Sequence, residues 1–122
     1  MLKEVRIKFI PQREQVYATL GNYGEASDHV WFEITEFDNE DYSIAVLIHE
    51  IWEFYRNKKE GISVASVDKF DLSHPELDDP GLSKEAPYHK THMEADAVER
   101  LYIIQSGNDW VDYEAAAEKI ME

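Results

Sequence analysis

The spacing of apolar residues changes once along this chain, and that change constrains the fold more than any other feature. Valine, isoleucine or phenylalanine occupies every second position of residues 5–9 and again of residues 30–34, the period of a strand with one buried face. From Ile44 to Tyr55, apolar residues recur at three- and four-residue steps, the period of a helix with one buried stripe. Strands followed by helices predict an α+β fold, because βαβ folds alternate the two.

Three short strands are predicted, at residues 5–9, 16–20 and 29–37. Pro11 ends the first, because proline cannot donate to a sheet ladder. The sequence Gly21-Asn22-Tyr23-Gly24 predicts a turn before the third, since glycine adopts positive φ without strain. Short strands separated by turns predict a small antiparallel sheet of about three strands.

Three to four helices follow, and two of them are expected to pack together around a polar site. The apolar spacing places the first helix at 41–59. Capping and breaking residues mark the others: Ser63 begins a short helix, Pro87 opens the next, Gly107 ends it and Asp109 begins the last. Residues 71–86 contain prolines, a glycine and several acids, and they predict a loop that lacks the ligand spacing of a calcium site.

Composition narrows the class of protein. The chain has 122 residues, 43% of them hydrophobic, and is expected to form one folded domain over residues 1–122. Its 26 acidic and 12 basic residues give a net charge of −14, which argues against binding a nucleic-acid backbone or an anionic membrane. The absence of cysteine excludes disulfides, thiolate zinc fingers and cysteine nucleophiles. No apolar run approaches the roughly 20 residues of a membrane span, and no signal peptide is recognisable, so a cytoplasmic location is predicted.

The predicted first helix contains the sequence His49-Glu50-Ile51-Trp52-Glu53. His49 and Glu53 are four residues apart, which places their Cβ atoms roughly 5–6 Å apart on one helix face, within reach of one metal ion. In the H-E-x-x-H helices of zinc hydrolases, the adjacent glutamate is turned by about 100° toward the attacking water and acts as general base. Glu50 is therefore the candidate catalytic base. Glu53 stands in place of the second histidine, and carboxylate oxygen is an accepted zinc ligand.

A later helix carries four ionisable residues at helical steps, namely His89, His92, Asp96 and Glu99. Positions with this spacing usually hold apolar residues that pack on a partner helix, and the small Ala95 beside them would allow close approach. A polar seam between packed helices is costly unless its groups are paired or bind a metal. The stripe therefore predicts a metal site shared with His49 and Glu53, and the alternative is a solvated helix face.

Charge counting selects the ligands. Zn²⁺ bound by His49, Glu53 and His92 would keep a net charge of +1, from +2 and −1, and an open fourth position, which lowers the pKa of bound water to about 7. Asp96 or Glu99 is then expected to fix a histidine tautomer or to be a fourth ligand, whereas binding by both would favour Mg²⁺ or Mn²⁺. Other candidates are His89 as a proton-transfer group at the mouth of the site, Tyr88 assisting the leaving group or oxyanion, and Asp71 reaching back from the loop.

Several motifs occur in a fixed order along the chain. They are H-E-x-x-E at 49–53, Val67-Asp68-x-Phe70-Asp71, Ala86-Pro87-Tyr88-x-x-x-His92-x-x-Ala95-x-x-x-Glu99 and Asp109-Trp110-x-x-Tyr113, preceded by Thr19-Leu20-Gly21-Asn22-Tyr23. Together they cover nearly the whole chain and resemble a family of small uncharacterised proteins encoded by tailed phages and prophages. The resemblance implies shared residues and a phage-type setting in the host cytoplasm, without a reaction.

A strand that leads into an H-E-x-x helix is also distantly similar to the zincin metallopeptidase core. That similarity implies that His49, Glu53 and His92 are metal ligands and that Glu50 is the base. In zincins an edge strand holds the peptide substrate in extended form, and residues 29–37 would take that position here.

Three functions are compatible with these features. The leading one is a zinc-type metal-binding protein, with hydrolysis of peptide or amide bonds as its candidate reaction and a peptide or protein as substrate. The first alternative is an acidic phage accessory protein without enzymatic activity, which binds a basic host partner or mimics DNA. The second is a MazG-like, magnesium-dependent nucleotide pyrophosphohydrolase that uses Glu50, Glu53 and either Asp96 or Glu99, although that class is all-α.

Overall fold

The computed structural model describes residues 2–122, in which three strands precede four helices. The strands are β1 (Glu4–Ile10), β2 (Gly21–Glu25) and β3 (His29–Thr35), and the helices are α1 (Glu40–Lys59), α2 (Val64–Ser73), α3 (His89–Gln105) and α4 (Trp110–Ile120). Short 3₁₀ turns, Gln12–Glu14 and Pro80–Leu82, lie in the connections. The predicted α+β fold class is confirmed.

The sheet is mixed rather than wholly antiparallel. Its order is β1-β3-β2, so that β3 is central, and β1 runs parallel to β3 while β2 runs antiparallel to it. β2 and β3 form a hairpin, but residues 11–20 carry the chain from β1 to the opposite edge of the sheet. β1 therefore does not pair with its successor, and the expected antiparallel pairing is wrong for this strand.

β2 occupies the segment expected to be a turn, and residues 16–20, expected to be a strand, form none. The glycines of β2 serve close packing. A Cβ on Gly21 would lie 2.7 Å from Cγ of Glu50, and a Cβ on Gly24 would lie 2.3 Å from the Trp31 ring. Neither glycine has a positive φ. In β2, glycine is needed because neighbouring side chains pack directly against the strand backbone. Glycine is common both in such strands and in turns, so its presence alone does not distinguish the two.

The predicted helix ends are mostly confirmed. The side chains of Ser63 and Asp109 accept backbone N–H hydrogen bonds at the starts of α2 and α4, and Gly107 follows α3 with a φ of 84°. Pro87 differs from expectation, because α3 begins only after Tyr88, its N-cap residue. The proline therefore precedes the helix instead of opening its first turn.

α1 is the central helix and matches the predicted span to within one residue. It packs on β2 and β3, and also on α3. Phe32, Ile34 and Phe54 belong to the core that joins α1 to the sheet. Ala95 of α3 is fully buried, which confirms the close approach expected at this small residue. None of the helices within residues 2–122 is both long enough and apolar enough to cross a membrane.

Candidate metal centre

The imidazoles of His49 and His92 lie next to each other between α1 and α3. Their ring centroids are 4.8 Å apart and their planes are inclined by 72°. The residues are 8% and 7% exposed. At His92 the polar stripe of α3 is therefore part of a helix–helix contact and not a solvated face.

The Glu53 carboxylate lies between the two rings. Its Oε2 atom is 3.3 Å from Nε2 of His49 and 2.8 Å from Nδ1 of His92. Its Oε1 atom accepts a hydrogen bond of 2.7 Å from the Tyr23 hydroxyl. Glu53 is only 4% exposed. The two oxygens thus have different partners, and Oε2 is the one that faces the histidines.

Three more carboxylates lie at the opposite nitrogens of the rings. Nδ1 of His49 is 2.7 Å from Oε1 of Glu99, and Nε2 of His92 is 3.1 Å from Oδ1 of Asp79. Asp96 lies between the rings, 3.3 Å from Nδ1 of His49 and 3.7 Å from Nε2 of His92. Each imidazole therefore has a carboxylate near both of its nitrogens.

Asp79 is the residue of this centre that sequence reasoning missed. It lies in the predicted loop of residues 71–86, where no local pattern distinguishes it from neighbouring acids. Asp79 directly precedes the 3₁₀ turn Pro80–Leu82, and this turn packs against α3. A Cβ on Gly81 would lie 2.3 Å from Cγ of His92. The proline-glycine pair was the available signal, because a glycine without room for Cβ can mark a backbone that approaches a buried side chain.

The other predicted site residues surround the centre without joining it. Nδ1 of His89 lies 2.9 Å from the carbonyl oxygen of Gly81, which fastens the loop to α3. Asp71 accepts a hydrogen bond from the Tyr88 hydroxyl and, among the described residues, lies outside the sets whose ligand atoms are close enough to share an ion. The Tyr88 ring centroid is 6.0 Å from that of His92.

Three sets of side chains are close enough to hold one ion. They are His49-Glu53-His92, His49-Asp96-Glu99 and Asp79-His92-Asp96, and within each set the ligand atoms lie within 4.8 Å of one another. Only the first set is fully buried. The 3.3 Å between Nε2 of His49 and Oε2 of Glu53 matches the separation of roughly 3.3 Å between two ligands of a tetrahedral zinc ion with bonds of about 2.0–2.1 Å, whereas the 2.8 Å between Oε2 and Nδ1 of His92 is a hydrogen-bond distance.

The carboxylates raise the pKa values of both histidines. For His49, burial is outweighed by hydrogen bonds to carboxylates, Asp96 first among them, and its pKa lies well above the ordinary value. For His92, burial is likewise outweighed by hydrogen bonds to Asp79 and Glu53, which raise its pKa to about 10. Without a metal, both imidazoles are protonated at neutral pH, and a metal ion has to displace those protons.

The pKa values of the two glutamates in the H-E-x-x-E sequence are shifted in opposite directions. Burial acts to raise the pKa of Glu53, but hydrogen bonds from His49 and His92 outweigh it and lower the pKa to about 2. Burial and the nearby charge of Glu53 raise the pKa of Glu50 to about 8. Carboxyl groups with well-separated pKa values are what acid–base chemistry near neutral pH requires.

The Glu50 carboxyl forms no side-chain hydrogen bond within residues 2–122, and only burial and nearby charges shift its pKa. Its side chain is half-buried, and its Oε1 atom lies 2.8 Å from the position that a Cβ on Gly21 would take. The glycine therefore leaves space for this carboxyl at the edge of the sheet. A carboxyl that is unpaired and close to two histidines is available to exchange protons with a bound molecule.

The centre has an excess of negative charge. Four carboxylates, those of Glu53, Asp79, Asp96 and Glu99, lie within 3.7 Å of the imidazole nitrogens, and the Glu50 carboxyl lies near enough for its charge to interact with theirs. Among residues 2–122, no lysine or arginine forms an ion pair with any of them. Even with both histidines protonated and Glu50 neutral, four carboxylates face two imidazolium groups. A bound cation would stabilise such a buried arrangement.

Two cavities of the structure lie away from the centre. Cavities of about 200 Å³ and 290 Å³ occur elsewhere, one beside Tyr23 and Ile62 and the other beside Leu2 and Val30. Neither is lined by His49 or the other imidazole. The two rings and the glutamate between them are instead packed at contact distance.

No protein-family model, no curated protein and no solved structure matches the chain. The function therefore has to be argued from the geometry and charge of this centre.

Proposed function

We propose that this chain binds a zinc-type metal ion through Nε2 of His49, Oε2 of Glu53 and Nδ1 of His92. The observation that carries the proposal is the convergence of these three buried groups, with a carboxylate at the opposite nitrogen of each imidazole. Metal-binding histidines almost always donate their second ring N–H to such an acceptor, which fixes the tautomer. Glu99 and Asp79 supply these acceptors.

Zinc suits this donor set better than magnesium does. Two imidazoles and one carboxylate are typical zinc ligands, and they leave a net charge of +1 with a fourth position open. Mg²⁺ and Mn²⁺ prefer oxygen ligands, and the two sets that offer more oxygen, His49-Asp96-Glu99 and Asp79-His92-Asp96, are not fully buried. These ions are the alternative that the two outer sets would favour.

A metal-dependent hydrolase is the second candidate function, and the position of Glu50 favours it. A bound zinc ion would supply Lewis acidity and, through its positive charge, would lower the pKa of Glu50. The ionised Glu50 would take a proton from the attacking water and return it to the leaving amine. β3, the strand expected to hold a peptide, is central in the sheet, and β2 takes the edge beside Glu50. An edge strand can hold an extended peptide by strand addition, so a peptide or protein is the proposed substrate.

The cellular setting is proposed from the resemblance to phage and prophage proteins, which supports a role in the cytoplasm of the host. The alternative is that the chain is an acidic accessory protein, which binds a basic host partner or mimics DNA. That alternative predicts acidic residues spread over the exterior and no bound metal. Convergence of four carboxylates on two buried histidines favours metal binding instead. The MazG-like pyrophosphohydrolase is less well supported, because that class is all-α and this fold contains a sheet.

Elemental analysis of untagged protein, purified without chelator, tests metal binding. We expect about one equivalent of zinc in the wild type and in Glu50→Gln, and a loss in His49→Ala and in His92→Ala. His29→Ala is the matched control, because its imidazole pairs with Asp28 on the surface and lies outside the ligand sets. Zinc-free wild type, or equal zinc in all variants, would contradict the proposal.

Hydrolysis is tested separately by mass spectrometry of a peptide library incubated with the zinc-loaded protein. Cleavage by the wild type that is lost in Glu50→Gln, with zinc content unchanged, supports the hydrolase. A zinc-loaded wild type that cleaves nothing would leave metal binding as the function and remove the reaction.

A further inference from the structure

We infer that Tyr23 is a positioning residue of the metal centre, whose hydroxyl orients the Glu53 carboxylate so that Oε2 is presented to both imidazoles. Asn57 and Thr91 in turn hold that hydroxyl in place. The inference rests on the proposed metal site. It gives Tyr23 of β2, Asn57 of α1 and Thr91 of α3 a role that the sequence spacing of the metal ligands does not predict.

The contacts of Glu53 show why a third group is needed. A glutamate carboxylate rotates freely about its last side-chain bond, because that torsion has a broad, two-fold profile. The hydrogen bond of 2.7 Å from the Tyr23 hydroxyl engages Oε1, which leaves Oε2 at 2.8 Å from His92 and 3.3 Å from His49. Without the tyrosine, neither oxygen would be distinguished from the other.

The hydroxyl itself belongs to a buried chain of polar groups that joins three elements. Nδ2 of Asn57, on α1, donates to the Tyr23 hydroxyl oxygen at 3.4 Å. The Thr91 hydroxyl, on α3, donates to Oδ1 of Asn57. Tyr23, Asn57 and Thr91 are 6%, 3% and 1% exposed. The Thr91 hydroxyl also lies 2.9 Å from the carbonyl oxygen of Tyr88. At the other end of the chain the Tyr23 oxygen accepts from Asn57, so its one proton is available to the Glu53 carboxylate.

The ring of Tyr23 has a separate packing role. It contacts Phe32 and Phe54, with ring centroids 6.2 Å and 5.5 Å apart. Tyr23→Phe keeps that packing and removes one oxygen atom, so it separates the orientation of the carboxylate from the stability of the core.

Zinc affinity of folded Tyr23→Phe, measured by competition with a chromophoric chelator, tests the inference. We expect the Kd for zinc to rise by about 10- to 100-fold, as for other groups that orient metal ligands, and the ligand-field bands of bound Co²⁺ to shift. Tyr55→Phe is the matched control, because its ring also contacts Phe54 and its hydroxyl lies outside the chain to Glu53. Its Kd should equal that of the wild type.

Asn57→Ala provides a second variant, with a rise in Kd smaller than that of Tyr23→Phe. The inference is overturned if the wild type binds zinc and both variants bind it as tightly with an unchanged Co²⁺ spectrum. It is also overturned if the variants lose stability alone, because a purely structural role would lower the midpoint of urea unfolding without changing the Kd of the folded protein. A wild type that binds no zinc would instead defeat the proposed function.

Discussion

Oε1 of Glu99 lies 2.7 Å from Nδ1 of His49, and the Tyr113 hydroxyl donates to the other oxygen of the same carboxylate at 2.5 Å. An acid from α3 and a tyrosine from α4 thus determine how a histidine of α1 is turned. Because the shorter contact engages Nδ1, the other nitrogen of this imidazole, Nε2, faces Glu53 at 3.3 Å.

Glu99→Gln should weaken zinc binding without removing it. The amide cannot supply the negative charge that favours the Nδ1–H tautomer of His49, so we expect the Kd for zinc to rise by about 10- to 100-fold. Chelator competition measures this change. Glu94→Gln is the matched control on the same helix, since Glu94 pairs with Arg56 on the surface. Equal Kd values for the two variants would show that Glu99 does not orient the ligand.

Gly81→Ala should damage the centre through the loop that carries Asp79. The added Cβ would lie 2.3 Å from Cγ of His92, and that ring is held by carboxylates at both nitrogens, so it cannot move aside freely. Overpacking of this kind typically costs about 1–3 kcal/mol. We expect a lower free energy of unfolding in urea and a higher Kd for zinc. Leu82→Ala, at an exposed neighbour, should change neither, and a Gly81→Ala protein with wild-type values would contradict the close contact.

The helical part of the site could be predicted from sequence, because its signal is local. His49 and Glu53 are four residues apart on a strongly periodic helix, and Ala95 indicated where α3 would approach α1. The structure brings His92 to that pair. The spacing of residues within a helix fixes the face on which they lie, and a small residue between two polar ones marks a crossing point.

The remaining parts of the site depend on tertiary packing, which leaves a weaker local signal. Asp79 is one acid among several in a loop, and only the turn after it brings it to His92. β2 lacks the alternating apolar pattern of a strand because close packing at Gly21 and Gly24 leaves no room for a side chain. Tyr23 is ordinary in sequence, since its hydroxyl acquires a role only where three elements meet. Local patterns cannot report such convergence.

Zinc binding should release protons. Hydrogen bonds to carboxylates raise the pKa of His49 well above its ordinary value and that of His92 to about 10, so both imidazoles are charged at pH 7 in the metal-free protein. Each must lose its proton to coordinate the ion. Calorimetry in buffers of different ionisation enthalpy should give about two protons released per zinc ion at pH 7. Binding without proton release would exclude these imidazoles as ligands.

The same shifts give the metal-free protein a defined dependence of stability on pH. His92 has its ordinary pKa of 6.5 raised to about 10, so its contribution is complete below pH 6.5 and is lost as the pH rises toward 10. The pKa of Glu50 is raised from 4.5 to about 8, so its contribution to stability is likewise lost as the pH rises between those values. Glu53, lowered from 4.5 to about 2, contributes above pH 4.5 and loses that contribution as the pH falls toward 2. Between pH 4.5 and 6.5 the titration of Glu50 already lowers the free energy of unfolding, so the metal-free protein should be most stable near pH 4.5.

Zinc should reverse the slope on the alkaline side. The ion binds only neutral imidazoles, so its contribution to stability grows as the pH rises from 6.5 to 8.5, while the metal-free protein weakens over the same interval. Urea unfolding of chelator-treated and zinc-loaded protein at pH 6.5, 7.5 and 8.5 measures both slopes. We expect a midpoint that falls throughout for the first. For the second we expect a midpoint that rises to about pH 7.5 and then levels off, because unfolded histidine has lost its proton there, and His92→Ala should show neither the fall due to its own titration nor the rise due to zinc. Parallel slopes with and without zinc would mean that the ion, if bound, does not coordinate the histidines.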